Sequence, residues 1–403
     1  MRWEKVKLGD IATFSNGINF NKTAYAKGIK LIGVSNFGDR FYPDYSQLQE
    51  VKKDIVRLED CLRNGDIVFV RSNGNKELVG RCMLVKNPTE RVTYSGFCIR
   101  ARLNDTDRYD PVYFTYYFKS KAFRRAVSGT AVGANIQNLS QARLSNHECR
   151  VPSIEVQHRI ADILSAYDDL IENNQKQIKL LEEAAQRLYK EWFVDLRFPG
   201  HENTKIVDGV PEGWSKSTVS EVSAILRRGI SPKYNENARG IVINQKCIRQ
   251  TIVSYDEART QEKKYPAELE LKEADIAICS TGAGTLGRVG QIYEVRENTT
   301  LDSHVTLIRA NEKIGQQYLF WSLKMQQDYL MSAGKGSTNQ LELSRETIGN
   351  CKILIPEQKI AEQAEKNLVT IHNKMKECSM QIARLREARD LLLPKLMSGE
   401  VEV

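Results

Sequence analysis

Residues 155–192 read EVQHRIADILSAYDDLIENNQKQIKLLEEAAQRLYKEW, and this stretch decides the architecture. Its seam positions recur at alternating steps of four and three residues from Ile160 to Trp192. A 3.5-residue repeat sustained this far predicts a supercoiled helix, because an ordinary core-facing helix usually ends within about 20 residues. At 1.5 Å per residue, the predicted helix would be about 57 Å long.

A second stretch, residues 357–398, carries the same repeat. Two stripes of matched length favour pairing within the chain, and self-pairing between two chains is the alternative. Asn174 and Arg389 are polar seam positions that either fix the register or lie at a water-exposed edge; for Arg389, near a helix end, we favour the edge. The residues predicted to pair the helices are Ile160, Leu164, Tyr167, Ile171, Asn174, Ile178, Leu181, Leu188, Leu368, Ile371, Met375, Ile382, Leu385 and Leu392.

The rest of the chain repeats one plan twice. Residues 65–70 (GDIVFV) recur as residues 274–279 (ADIAIC), and residues 135–139 (NIQNL) recur as residues 339–343 (NQLEL). The loop side chains differ almost everywhere. This is the pattern of a duplicated scaffold that carries two different surfaces.

Short apolar runs between Gly, Asn and Ser, among them residues 66–70, 96–101, 275–279 and 305–308, predict strands joined by turns. Each half adds one predicted helix, Tyr113–Val127 and Gly315–Met331. We therefore predict an α+β fold with two mixed globular domains separated by two long helices that form a coiled coil. The predicted segments are a globular domain at 1–154, a long helix at 155–192, a connector at 193–213, a globular domain at 214–356, a long helix at 357–398 and a tail at 399–403.

Composition excludes several classes of protein. The chain has 403 residues, of which 41% are hydrophobic and 27% charged, as expected of a globular protein with a core. Neither a membrane span nor a signal peptide is visible, and we expect no membrane partner. The eight cysteines include no C-x-x-C pair, so we expect reduced cysteines in a cytoplasmic protein and no metal site.

The positive charge lies in the globular parts. The net charge is +8, whereas the two long helices together carry −1 and the remainder +9. Several turns combine basic, amide and hydroxyl side chains, the mix that contacts phosphates and base edges, although surface turns are polar in any protein. The residues predicted to bind DNA are Asn16, Asn19, Lys22, Arg71, Asn73, Asn75, Lys76, Asn135, Gln137, Arg227, Arg228, Lys233, Tyr234, Ser280, Thr281, Lys335, Ser337 and Asn339.

Three short motifs with catalytic counterparts are set aside. Residues 282–287 spell G-x-G-x-x-G, but a strand-like run follows where a dinucleotide site needs a helix, so we predict a hairpin. Residues 110–113 (DPVY) read as a helix cap with proline in the first turn. Residues 270–272 (ELK) fit the end of a nuclease motif only loosely. We predict no catalytic residue in the chain.

Three longer motifs carry a family resemblance. Residues 159–174 (RIADILSAYDDLIENN), residues 188–200 (LYKEWFVDLRFPG) with VPEGW at 210–214, and residues 391–400 (LLLPKLMSGE) resemble regions of type I restriction–modification specificity subunits. The resemblance implies two target recognition domains that each read half of a split double-stranded DNA site. It also implies that the long helices pack antiparallel and act as a ruler between the halves.

The resemblance further implies partners that carry the chemistry. Two modification subunits would use S-adenosylmethionine to methylate adenine at N6, and restriction subunits, where present, would use ATP and Mg. No cofactor is expected in this chain. Because the loops of the two halves differ, the halves of the site should differ in sequence. The alternatives are an enzyme with its own unrecognised nuclease or methyltransferase site, and a coiled-coil adaptor that binds protein rather than DNA.

Overall fold

The computed structural model describes residues 3–38, 40–73, 78–127, 138–282, 284–334 and 341–403. The chain forms two compact units. Unit 1 comprises Met1–Glu172 and Ile382–Val403, and unit 2 comprises Asn173–Gln381. Within the described ranges, no helix combines the length and apolar character that crossing a bilayer would require.

Unit 1 is built on strands of three sheets. The strands are β1 (Glu4–Lys7), β2 (Ala12–Asn16), β3 (Tyr25–Ile32), β4 (Gln49–Val51), β5 (Ile67–Val70), β6 (Cys82–Leu84), β7 (Val92–Tyr94), β8 (Cys98–Leu103) and β9 (Glu148–Val151). One sheet has the antiparallel order β2-β8-β5-β6. A second has the order β4-β3-β7, with β3 parallel to β7, and β1 pairs antiparallel with β9.

The helices of this half are α1 (Leu8–Ile11), α2 (Pro111–Lys119), α3 (Lys121–Val127), α4 (Gln141–Ser145) and the long α5 (Ile154–Tyr189), which continues as a π-helical turn. Asp110 caps α2 by accepting from the N–H groups of Val112 and Tyr113, as the DPVY motif predicted. The single helix predicted over Tyr113–Val127 is wrong. Ser120 is extended (φ −61°, ψ 144°), and its hydroxyl accepts from the Phe123 N–H at 3.2 Å, so it ends α2 and caps α3.

Unit 2 repeats the sheet plan of unit 1. The hairpin of β10 (Ile206–Val207) and β11 (Val210–Pro211) precedes β12 (Ser215–Thr218), β13 (Ser223–Arg228), β14 (Gly240–Ile243), β15 (Arg259–Gln261), β16 (Ile276–Cys279), β17 (Val289–Gln291), β18 (Thr299–Leu301), β19 (Val305–Ala310) and β20 (Lys352–Ile355). The orders are β13-β19-β16-β17, β15-β14-β18 with β14 parallel to β18, and β12-β20. The duplicated plan predicted from the sequence is confirmed.

The helices of the second half are α6 (Gln316–Met325), α7 (Gln327–Ser332), α8 (Arg345–Gly349) and the long α9 (Gln358–Ser398). The single helix predicted over Gly315–Met331 is also wrong. Gln326 leaves the helical conformation (φ −94°, ψ 10°), and its side-chain amide donates to the carbonyls of Ser322 and Lys352. The hydrogen bond to Lys352, which lies outside both helices, accompanies the break between α6 and α7.

A buried ion pair recurs at the same place in both units. The Asp66 carboxylate accepts two bonds from the Arg102 guanidinium, at 2.6 and 2.7 Å, and the Arg63 N–H at 2.7 Å. In unit 2, Asp275 accepts two bonds from Arg309 at 2.7 and 2.6 Å. The aspartates are 1% exposed, so each pair ties a β-turn to an inner strand of its sheet, β8 in unit 1 and β19 in unit 2.

The long helices pack antiparallel within each unit. In unit 1, Ile160 and Leu164 share a core with Leu396. Further along α5, Asp168 pairs with Arg389. In unit 2, Ala185 and Tyr189 share a core with Ile360 and Ala364, while the Cys378 thiol donates to the Gln177 amide oxygen at 3.7 Å. Later residues of α5 therefore contact earlier residues of α9, so the two helices run in opposite directions. This confirms the predicted antiparallel pair.

The predicted seam lies on the inner face of both helices. The buried seam residues are Ile160, Leu164, Ile171, Asn174, Leu368, Met375 and Ile382, and the half-buried ones are Tyr167, Ile178, Leu181, Leu188, Ile371, Leu385 and Leu392. The favoured assignment of Arg389 to a water-exposed edge is wrong. Its guanidinium is half-buried and pairs with Asp168, whose other oxygen accepts from the Tyr116 hydroxyl at 2.6 Å.

The eight cysteines are all buried and none is in a disulfide. Burial raises the pKa of the Cys82 thiol to about 11 and that of the Cys98 thiol to about 12. It raises the pKa of Cys279 to about 12 as well. Because the thiolate is the reactive form, these cysteines are packing residues.

His372, buried on α9, predicts a pH dependence of the stability of unit 2. Its Nδ1 lies 3.1 Å from the Gln291 amide oxygen, and its ring stacks on Tyr293 at 4.2 Å. Burial lowers the pKa of His372 below its ordinary value, although Glu273, 3.7 Å from Nε2, opposes this shift. At acidic pH the imidazole of His372 therefore binds a proton more readily in the unfolded chain than in the folded unit. The free energy of unfolding should fall as the pH drops below about 6.5, by up to about 1.4 kcal/mol per pH unit.

The measurement is thermal unfolding between pH 7.5 and 5. His372→Gln should remove part of the acid destabilisation, while the same change at the exposed His158 serves as the control. Equal pH dependence in the wild type and His372→Gln would contradict the prediction.

Candidate nucleic-acid interface

Three turns of unit 1 meet at one edge of its sheets. Strands β2 and β5 flank β8 and run antiparallel to it, so both end where β8 begins. We call residues 16–19, 71–73 and 95–97 the unit 1 tip. Main-chain bonds hold it together: the Gly96 N–H donates to the Ile18 carbonyl at 2.7 Å, and the Arg71 N–H donates to the Phe97 carbonyl at 2.8 Å.

Gly17 permits the close approach of the 16–19 turn to the main chain at the end of β7. The Ile18 N–H donates to the Tyr94 carbonyl at 2.9 Å, next to Gly17. A Cβ on Gly17 would lie 2.2 Å from the Tyr94 oxygen and 2.4 Å from the Ser95 oxygen. No side chain fits at this point, so glycine is required for the 16–19 turn to pack on the end of β7.

Unit 2 builds the same frame from different residues. We call residues 228–231, 280–282 and 302–304 the unit 2 tip. The Ile230 N–H donates to the Leu301 carbonyl at 2.9 Å, and the Ser280 N–H donates to the His304 carbonyl at 2.8 Å. A Cβ on Gly229 would lie 2.0 Å from the Leu301 oxygen. The main chain of the tip is thus duplicated, including its close glycine.

The unit 1 tip contains four of the residues predicted to bind DNA. Asn16 and Asn19 are exposed, Arg71 and Asn73 are half-buried, and the Arg71 guanidinium braces the Gly96 carbonyl at 3.2 Å. Lys22 is exposed beyond the tip, in a short 3₁₀ helix. Four other predicted residues lie outside the described part of the chain: Asn75, Lys76, Asn135 and Gln137.

In the unit 2 tip, two predicted side chains are engaged at the surface. The half-buried Arg228 donates to the Leu343 carbonyl at 3.0 Å and pairs with Glu342 at 2.7 Å. The Thr281 hydroxyl bonds His304 Nδ1 at 2.7 Å. Three predicted residues lie outside the described ranges: Lys335, Ser337 and Asn339.

Three predicted residues of unit 2 are exposed beside its tip. Arg227 pairs with Glu268, and Lys233 pairs with Glu262, so a phosphate would have to compete with these carboxylates. Tyr234 is 44% exposed, and the Arg259 guanidinium lies 3.4 Å from its ring centre. These positions can contact a DNA backbone only if their present partners are exchanged.

Ser280 is a correction to the predicted set. Its side chain is fully buried, and its hydroxyl bonds the Thr306 hydroxyl at 2.6 Å. Because Ser280 directly follows the buried strand β16, its side chain points into the core, and only its backbone contributes to the tip.

Sequence reasoning missed the middle of both tips. Residues 96–101 were assigned to one strand, yet β8 begins at Cys98, and Phe97 before it is 63% exposed. His304, at the equivalent place before β19, is exposed too. A signal was available in the sequence. The strand runs of the two halves recur, so aligning them also aligns the residue before β8 with the residue before β19.

The motifs set aside as catalytic have structural roles. Strands β16 and β17, which flank the G-x-G-x-x-G motif in sequence, pair antiparallel, so the predicted hairpin is confirmed. Glu270 accepts from the Tyr265 hydroxyl at 2.5 Å and the Thr299 N–H at 3.2 Å. Among the described residues, no group of three or more His, Cys, Asp or Glu gathers as metal ligands would.

Each unit combines the same α+β plan with part of both antiparallel long helices. The structure is similar to the S subunit of a type I restriction–modification system from M. genitalium, with a TM-score of 0.57 and 18% identity, covering 98% of this chain and 96% of that chain. Residues 1–183 match the family described as type I restriction modification DNA specificity domain.

Two sequence relatives extend the match. The chain is 28% identical to the type I restriction enzyme MjaIX specificity subunit of Methanocaldococcus jannaschii, over 81% of this chain and 76% of the relative. It is 25% identical to the HindI specificity subunit of Haemophilus influenzae over 99% of both. These matches confirm the resemblance to type I restriction–modification specificity subunits that the sequence motifs indicated.

Proposed function

We propose that each unit reads one half of a split DNA site through its tip. The observation that carries this proposal is that the two tips share the same main-chain hydrogen bonds but expose different side chains. Asn16 and Phe97 of unit 1 correspond to Arg228 and His304 of unit 2, whereas Arg71 corresponds to Ser280, which contributes only its backbone. A frame conserved in its hydrogen bonds but not in its side chains is suited to reading different base pairs in the two halves.

Charge supports DNA as the ligand of the globular parts. Outside the long helices, the chain carries a net charge of +9. We propose that Asn16, Asn19, Arg228 and Thr281 contact bases or phosphates from the tips. Arg227, Lys233 and Tyr234 would contact the adjacent backbone. Affinity should then fall steeply with salt, whereas an adaptor that binds only protein would show no salt-dependent DNA affinity.

The long helices are proposed to hold the modification subunits. Both helices leave large apolar side chains exposed, namely Leu170 (52%), Leu180 (64%) and Leu391 (63%). Two modification subunits bound to this scaffold would use S-adenosylmethionine to methylate adenine at N6, and ATP and Mg would act on restriction subunits where present. The target base would be flipped into the modification subunit, and this chain would supply no catalytic group.

The test is a long-read map of methylated adenine in the source genome with and without this gene. The expected result is loss of one split, asymmetric motif on deletion and its return on complementation. If no such motif changes while the modification subunit is expressed, the proposal fails.

The length of the helices should set the spacing within the site. Residues 174–180 of α5 and 375–381 of α9 form matched heptads around the Gln177–Cys378 contact. Deleting both heptads removes about 10.5 Å of helix, equivalent to about three base pairs at 3.4 Å per step. The methylated motif should keep its two half-sites and lose about three unspecified base pairs between them.

Deleting only residues 174–180 is the control, because it breaks the pairing and should abolish methylation. A double deletion that methylates the original spacing would rule out the ruler.

A further inference from the structure

We propose that the residue at the centre of each tip, Phe97 in unit 1 and His304 in unit 2, is a specificity-determining residue that enters the DNA major groove. This inference rests on the proposed function and names the side chains that carry out its readout. Neither residue belongs to a run of basic or amide side chains, so composition does not reveal them.

The sheet order puts both residues in the middle of their tips. Strand β8 lies between β2 and β5, and β19 lies between β13 and β16. Phe97 and His304 precede these central strands, so a turn flanks each on both sides. With neighbouring strands about 4.8 Å apart, three adjacent strand ends span about 10 Å, which matches a major groove of about 12 Å and exceeds a minor groove of about 6 Å.

Phe97 is held by its backbone while its side chain stays free. Its carbonyl accepts the N–H groups of Arg71 at 2.8 Å and Ser72 at 3.3 Å. The next residue, Cys98, is fully buried, yet the Phe97 side chain is 63% exposed. This large apolar ring is therefore available for contact, and it follows Gly96, whose carbonyl accepts from the Arg71 guanidinium at 3.2 Å. The exposed Asn16 and Asn19 belong to the same tip.

His304 is held in the same way but offers different chemistry. Its N–H donates to the buried Asp302 carboxylate at 2.9 Å, and its carbonyl accepts the Ser280 N–H at 2.8 Å. The ring is oriented by the bond between Nδ1 and the Thr281 hydroxyl at 2.7 Å. This bond orients the imidazole and leaves Nε2 as the ring nitrogen that would meet a base edge.

The two side chains therefore predict different preferences. A phenyl ring makes no hydrogen bond, but it packs against the C5-methyl group that thymine presents in the major groove and cytosine lacks. His304 can form one hydrogen bond to a base edge. We infer that Phe97 favours an A·T pair at one position of its half-site, and that His304 reads one position of the other half-site through Nε2.

The experiment uses the chain in complex with its modification subunits. Methylation rates are measured on duplexes that carry the native site or a single base-pair change at each position. Phe97→Ala should lower the preference for A·T over G·C about five- to tenfold at one position of one half-site. His304→Ala should relax one position of the other half-site and leave the first unchanged.

Leu58→Ala and Val295→Ala are the matched controls, since these side chains are apolar, 70% and 43% exposed, and lie outside the tips. Phe97→Leu keeps an apolar body and should retain most of the A·T preference, which separates lost contact from misfolding. Unchanged preference in Phe97→Ala, while the wild type methylates its split site, would overturn this inference alone. A wild-type complex that methylates no split site would overturn the proposed function as well.

Discussion

Replacing Gly17 with alanine is expected to abolish recognition of one half-site and to destabilise unit 1 by about 2–4 kcal/mol. The new Cβ would lie 2.2 Å from the Tyr94 carbonyl oxygen, well inside contact distance. Backbone oxygens at the end of β7 cannot swing aside as a flexible side chain would. The turn must therefore lift, which breaks the bond from the Ile18 N–H to Tyr94 and moves Asn16 and Asn19 away from Phe97.

The measurement is methylation by the reconstituted complex, together with thermal unfolding. Gly38→Ala is the control, because nothing lies within 4 Å of a Cβ there and its φ is not in the left-handed region. Gly229→Ala should impair the other half-site in the same way, since its Cβ would lie 2.0 Å from the Leu301 oxygen. Full methylation by Gly17→Ala would show that the tip does not need this close packing.

Replacing Asp66 with alanine is expected to destabilise unit 1 by about 3–5 kcal/mol. The change leaves the Arg102 guanidinium, 26% exposed, without its carboxylate and frees the Arg63 N–H from its acceptor. Removing one partner of a buried pair costs more than the pair contributes, because the remaining charge stays desolvated. Asp275→Ala should destabilise unit 2 by a similar amount, since Arg309 is 17% exposed.

Calorimetry of the full chain checks this, with a lower melting temperature expected for each variant. Glu148→Ala is the matched control, because its pair with Lys5 is largely exposed (56% and 68%) and surface pairs contribute about 0–1 kcal/mol. The double change Asp66→Leu with Arg102→Met should recover part of the loss. Equal melting temperatures for Asp66→Ala and Glu148→Ala would contradict the expected role of the buried pair.

The long helices could be predicted from their periodicity. Features that depend on tertiary contacts could not be predicted from the sequence. The seam of α5 and α9 could be read because each position obeys a single local rule over many turns. The break between α2 and α3 could not, since it depends on Ser120 capping the next helix instead of continuing the first. The pairing of Arg389 with Asp168 was equally hidden, because the two residues are 221 positions apart.

The sequence predicts which turns form the candidate site, but it does not predict which of their side chains are exposed. Polar turns marked the regions of Asn16, Arg71, Arg228 and Thr281, yet composition could not tell the buried Ser280 from its exposed neighbours. Whether a side chain faces solvent after a strand depends on the exact strand end, and strand ends are the least certain feature of a sequence pattern. For the same reason Phe97 was counted within a strand.

The burial of the native thiols should make them react slowly with maleimides, and this has a practical consequence. With all eight cysteines covered and their pKa values raised where burial is deepest, a cysteine introduced at the surface would be the fastest-reacting group. Leu58→Cys in unit 1 and Val295→Cys in unit 2 would accept a donor and an acceptor fluorophore without prior removal of the native cysteines. Energy transfer between the dyes could then follow single complexes in real time as they engage and leave DNA.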